Sequence, residues 1–123
     1  MTWRQLVTGT RLGRADSELW FNWVVHTYGE PVLWVAGGAD GVDTQCREWC
    51  RRTNRAFQEF TLDSDDWKTF GEFRAGSIRN GVMVEFVSEL PEGKCLGLPV
   101  PTSKGTYNCI KQALRAKLKV DVK

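Results

Sequence analysis

Apolar and polar residues follow one another along this chain in two rhythms, and the changes of rhythm mark its elements. Residues 31–36, Pro-Val-Leu-Trp-Val-Ala, are a nearly unbroken apolar run, the pattern of a strand buried on both faces. Val42, Cys46, Trp49 and Cys50 then recur at helical spacing. Gly37, Gly38 and Gly41 stand between, so a buried strand turns into a helix through a glycine-rich loop. A helix N-terminus offers free N–H groups and a partial positive charge, which suits phosphate or another anion. The loop therefore reads in two ways: a site for a nucleotide-like ligand, or a tight turn capped by Asp43 or Thr44.

The same reading extends to both ends. Residues 3–8 predict a first strand, followed by a loop with Gly9, Arg11 and Gly13. Asp16 or Ser17 would cap the next helix, with Leu19, Trp20, Trp23, Val24 and Thr27 on one face; Gly29 and Pro31 stop it. Residues 56–62 read as a third strand, less apolar than the second and so suited to a sheet edge. An acidic turn over 63–66 leads to an irregular stretch over 67–75, jointed at Gly71 and Gly76. Residues 77–90 predict a helix with Ile78, Val82, Met83, Phe86 and Val87 on its apolar side. A fourth strand over 94–98, a loop over 99–106, a helix over 106–117 with Ile110, Ala113 and Leu114 inward, and a strand over 118–122 complete the series. Strand and helix alternate throughout. The expected fold is α/β, one domain over 1–123: a three-layer sandwich with a mostly parallel sheet of about five strands and helices on both faces.

In such a sheet, ligands bind outside the carboxyl ends of the strands. The loops over 8–14, 37–43, 63–80 and 99–106 would share that edge. Neither G-x-G-x-x-G nor a G-K-S/T phosphate loop is completed. Charge and composition narrow the picture. A net charge of +2 without a basic stripe argues against nucleic acid as partner. The four cysteines form no C-x-x-C pair and His26 is far from them, so no metal site or cofactor is expected. No signal peptide or membrane span is read, so the expectation is a cytoplasmic protein with free thiols and no membrane partner.

Four pieces in order resemble the SLOG superfamily, named for the Smf/DprA and Lonely Guy proteins, and its small YspA-like branch. They are Val7-Thr-Gly-x-Arg11, Gly37-Gly-Ala-Asp-Gly-Val-Asp43, Asp66-Trp67 with Ala75-Gly-x-x-Arg-Asn-x-x-Met83, and Pro101-x-x-x-Gly-Thr106. The branch is common among uncharacterised bacterial and phage proteins. The resemblance implies a Rossmann-like fold that binds a nucleotide-derived small molecule, such as a nucleotide or an ADP-ribose-type ligand, to sense or sequester it. A signal in conflict between phage and host is one such molecule. It also implies a homo-oligomer, for which six tryptophans leave room at an apolar interface. Two departures stand out. The family's Pro-Gly-Gly-x-Gly-Thr becomes Pro101-Thr102-Ser103-Lys104-Gly105-Thr106, stiffer but richer in hydroxyls. Lonely Guy enzymes carry a glutamate three residues after that threonine, and here Cys109 takes its place. Cleavage of a glycosidic bond needs a carboxylate, so binding ranks ahead of the alternative, a nucleotide-processing hydrolase cutting an N-glycosidic or phosphate bond. No catalytic residue is assigned; Asp43, Asp66 or Glu72 would have to supply the carboxylate.

The candidate ligand-binding residues follow from these loops. Arg11 would pair with a phosphate. Gly9, Gly37, Gly38 and Gly41 would let backbone approach the ligand. Asp43 would take a ribose hydroxyl or cap its helix, and Trp67 would stack on a base or wedge its loop. Arg79 would reach an anion; Asn80 would read a base or ribose, or brace the loop. Lys104, Gly105 and Thr106 open the last helix, a second anion-attracting N-terminus.

Overall fold

A computed structural model of the protein describes residues 2–62, 68 and 71–123. Nine elements occur among them: β1 (Arg4–Gly9), α1 (Ser17–Tyr28), β2 (Leu33–Gly37), α2 (Val42–Arg52), β3 (Phe57–Phe60), α3 (Glu72–Ser88), β4 (Lys94–Leu98), α4 (Lys104–Arg115) and β5 (Lys119–Val122). The five strands form one sheet in the order β3-β2-β1-β4-β5. Every pairing is parallel, with Leu6 beside Val35 and Gly9 beside Leu98. The fold is thus the expected Rossmann-like α/β sandwich, and the sheet is wholly rather than mostly parallel. β3, the less apolar strand, lies at an edge.

Successive strand residues point to opposite faces, and each face is covered. Val7, Trp34, Leu96 and Leu98 pack with Phe21 and Val24 of α1 and with Val42, Cys46, Trp49 and Cys50 of α2. Leu6, Val35 and Cys95 pack with Met83, Val84 and Val87 of α3 and with Cys109 and Ala113 of α4. Edge-on aromatic contacts knit the first face: the Trp34 ring centroid lies 5.0 Å from that of Trp49 and 6.2 Å from that of Phe21. Trp3, Trp34 and Trp49 are all buried. These three tryptophans hold the layers together and offer no surface to a second copy.

Readings of three helices are corrected. Helix α1 carries apolar residues on nearly every side, so periodicity alone does not choose its inner face. Small Ser17 with Phe21 and Val24 turns inward, while Leu19 is 61% exposed. Asp16 precedes α1 without capping it, because its carboxylate takes the fork of Arg14 at 2.9 and 2.7 Å and the Trp20 indole N–H at 3.0 Å. Helix α3 begins at Glu72, since Gly71 (φ +76°) breaks the chain and Gly76 lies within the helix. Arg79 and Asn80 therefore sit in its third turn, and Ile78 and Val82 stay half-exposed. In α4, Leu114 faces solvent.

The chain runs from β1 through β2 to β3, then returns across the sheet by α3 to β4 on the other side of β1. β1 and β4 are neighbours whose connections lead away in opposite directions, and a crevice opens between their carboxyl ends. That switch point is where open α/β sheets bind ligands.

Candidate functional site

A cavity of about 500 Å³ occupies this crevice. The end of β1 contributes Gly9 and the loop after it Arg11, the loop after β2 and the start of α2 contribute Ala39 and Asp43, α3 contributes Arg79 and Asn80, and α4 contributes Lys104, Gly105 and Thr106. Eight of the twelve expected residues therefore meet in one wall. Trp67, like Asp66 of the same motif, lies outside the described residues.

Gly37, Gly38 and Gly41 stand behind the wall rather than in it. A Cβ on Gly37 would meet Arg79 Cζ at 2.8 Å and Asp43 Oδ2 at 2.9 Å, so its bareness leaves room there for both side chains. A Cβ on Gly38 would meet Thr61, and one on Gly41 would run into the carbonyls of Thr10 and Arg11. The N–H of Val42, first in α2, donates to Thr10 O at 3.0 Å. This loop's glycines thus admit other parts of the protein, and the loop after β1 takes up part of the α2 N-terminus. Neither Asp43 nor Thr44 caps α2; both turn back to Ala39, Asp43 Oδ2 accepting its N–H at 3.3 Å and Thr44 Oγ1 donating to its carbonyl at 3.1 Å.

The anion-attracting helix start is that of α4. Lys104 N–H donates to Thr102 O and Tyr107 N–H to Ser103 O, while among the described residues no such backbone bond starts from Gly105 or Thr106. The position of Gly105 opens onto free space. Asn80 braces this turn from α3, its Nδ2 donating to Gly105 O and to Asn108 Oδ1, both at 3.2 Å. Gln112 completes the brace, donating to Asn108 Oδ1 at 2.8 Å and to Ser77 O at 2.9 Å. Asn80→Ala removes both bracing hydrogen bonds, so it is expected to cost about 1–3 kcal/mol. A fall in the midpoint of urea unfolding checks this.

Asp43 is the electrostatic centre. It is 6% exposed, and burial pushes its carboxyl up to about 7 against the pull of Arg79, the Ala39 N–H and Arg11, with Glu59 adding to the rise. Arg79 Nε is buried with no hydrogen-bond partner among the described residues. The thiols offer no rival nucleophile: burial raises Cys46, and the hydrogen bond shared with Cys109, then burial, raises Cys95. Cys109 is turned into the core, and its neighbour Asn108 lines the cavity instead.

The sequence reading missed Thr8, Thr10, Ser77 and Asn108, which also line the cavity. Asn108 had a signal: with Gly105 and Gln112 it forms a polar stripe at helical spacing facing α3. Thr8 and Thr10 flank Gly9 and carried none.

No family model matches the chain. Over 121 residues, 95% of its length, it is 29% identical to the Gene 61 protein of Mycobacterium phage D29, 93% of which is covered. No helix among the described residues is long and apolar enough to cross a membrane.

Proposed function

We propose that the protein binds a nucleotide-derived small molecule, of nucleotide or ADP-ribose type, at the carboxyl edge of its sheet. One observation carries this reading: the cavity of about 500 Å³ at the switch point between β1 and β4, into which Arg11, Arg79, Lys104 and the start of α4 converge. Its size suits a small organic ligand. Its cations and hydroxyls suit phosphate, and its amides and Asp43 suit ribose or base. The resemblance to SLOG domains supports the same ligand class. Similarity to a phage protein is in keeping with sensing or sequestering such a molecule in conflict between phage and host.

A second reading, hydrolysis of an N-glycosidic or phosphate bond, is favoured by Asp43. A carboxyl that titrates near 7 in a cavity wall is suited to general acid–base work.

Isothermal titration against nucleoside mono- and diphosphates and ADP-ribose tests the first reading. Arg79→Ala and Lys104→Ala are each expected to weaken the phosphate-bearing ligand about tenfold or more, the worth of one charged hydrogen bond. Chromatography of the same mixtures separates the readings: intact ligand supports the binder, and released base or phosphate the hydrolase. A folded protein that binds nothing in the panel removes both.

A further inference from the structure

We propose that ligand binding in this cavity is coupled to uptake of one proton by Asp43, so that an anionic ligand is held with this carboxyl neutral and donating a hydrogen bond. The inference rests on the reading that the cavity takes a phosphate-bearing ligand. It adds what that reading lacks, a residue that ties affinity to pH and selects for anions.

The geometry sets up the coupling. Asp43 lies in the first turn of α2, nearly buried yet part of the cavity wall. Its Oδ2 is engaged by the Ala39 N–H. Each neighbouring element brings a charged or titratable group: Arg79 from α3, Glu59 from β3, Arg11 from the loop after β1, and Cys46 one turn along α2. Arg79 approaches closely enough that both side chains crowd the missing Cβ of Gly37, but no ion pair joins the two. Burial and Glu59 favour the neutral acid; Arg79 and Arg11 favour the carboxylate. Burial outweighs the arginines far enough that the neutral and ionised forms are in balance at about pH 7.

An incoming anion tips that balance. A phosphate placed on Arg11 or Arg79 engages the cations that held the carboxylate and adds a like charge beside it. Both effects drive a solvent proton onto Asp43. The resulting O–H points a donor where the carboxylate offered only repulsion. A carboxylate reading a ribose hydroxyl would behave in the opposite way, staying ionised and taking up no proton.

ADP-ribose is the probe of choice, because its pyrophosphate lacks the phosphomonoester ionisation near pH 6. Calorimetry at about pH 8, in two buffers of different ionisation heat, is expected to show close to one proton taken up per ligand. Affinity should fall by up to about tenfold per pH unit above the midpoint of the free carboxyl. Asp43→Asn should bind with no buffer or pH dependence, and at pH 8 more tightly than the wild type. Binding that is flat in pH and buffer overturns the coupling while leaving the ligand reading intact, as does loss of binding by a folded Asp43→Asn. Where the variant fails to fold, carboxyl NMR of the wild type decides: an upward move of the Asp43 midpoint on adding ADP-ribose supports the proposal, and an unchanged or lower one overturns it. If ADP-ribose does not bind the wild type at any pH, the ligand reading fails and takes the coupling with it.

Discussion

Gly41→Ala is expected to destabilise the protein by at least about 3 kcal/mol, the combined cost of a forbidden backbone region and a backbone clash. Gly41 adopts φ 81°, ψ −126°, a region that residues with a Cβ scarcely enter. Its added Cβ would run into the carbonyls of Thr10 and Arg11. Those carbonyls are not free to retreat. Thr10 O accepts the N–H of both Val42 and Gly13, and Thr10 N–H donates to Leu98 O at 3.0 Å. Moving the β1 loop would undo the start of α2 and the closure onto β4 together, and would shift Arg11 within the cavity wall. Gly76→Ala is the control: its Cβ meets nothing within 4 Å in the interior of α3, so it should be neutral or add about 0.5–1 kcal/mol. Parallel urea unfolding curves for the two variants measure the contrast. Equal midpoints would mean that the β1 loop yields and that Gly41 is an ordinary turn residue.

The contrast between these two glycines also marks what was legible in the sequence. Alternating strand and helix rhythms placed all nine elements, because a parallel sheet writes its strands as apolar runs and its helices as amphipathic stretches. The rhythm could not choose the inner face of α1, where Leu19, Trp20, Phe21, Trp23 and Val24 follow almost without polar interruption. Nor could it separate Gly71, which starts α3 at positive φ, from Gly76, which the helix simply includes. The site was legible as a set of loops: Arg11, Asp43, Arg79, Asn80 and the start of α4 do converge. Their roles were not. The glycine-rich loop drew attention as a ligand cradle, yet its glycines make room for Thr10, Arg11, Thr61 and the side chains of Asp43 and Arg79. Such roles depend on which chain segment arrives opposite each glycine, and strand order decides that. The environment of Asp43 is non-local in the same way, since Glu59 and Arg79 reach it from β3 and α3.

That environment gives Asp43 the second large effect, a stability that falls as pH rises. Unfolded, an aspartate titrates near 3.9; folded, Asp43 titrates at about 7. Between those values the folded state holds a proton that the unfolded state has released, so raising the pH through this window favours unfolding. At about 1.4 kcal/mol per unit, a window of roughly three units removes about 4 kcal/mol, with no further loss from this group above it. The sign is opposite to that of Asp16, whose carboxyl the hydrogen bond from Arg14 holds below its ordinary value and whose contribution is lost on acidification. Asp43→Asn keeps an acceptor for the Ala39 N–H and has nothing to ionise. Near pH 4, at the foot of this window, where the native carboxyl is neutral and little of this loss has set in, the variant should come close to the wild type in thermal midpoint. At pH 8 it should melt well above it, and its profile across the window should be flatter. Removing a charge would thus stabilise a protein whose charged form is buried against Glu59, which is hard to explain if Asp43 served only to hold its helix. A carboxyl that destabilises the fold once ionised is the one from which an anionic ligand gains most by delivering a proton. Should the two pH profiles instead run parallel, Asp43 ionises as an exposed aspartate does, and the proton-linked binding proposed above loses its physical basis.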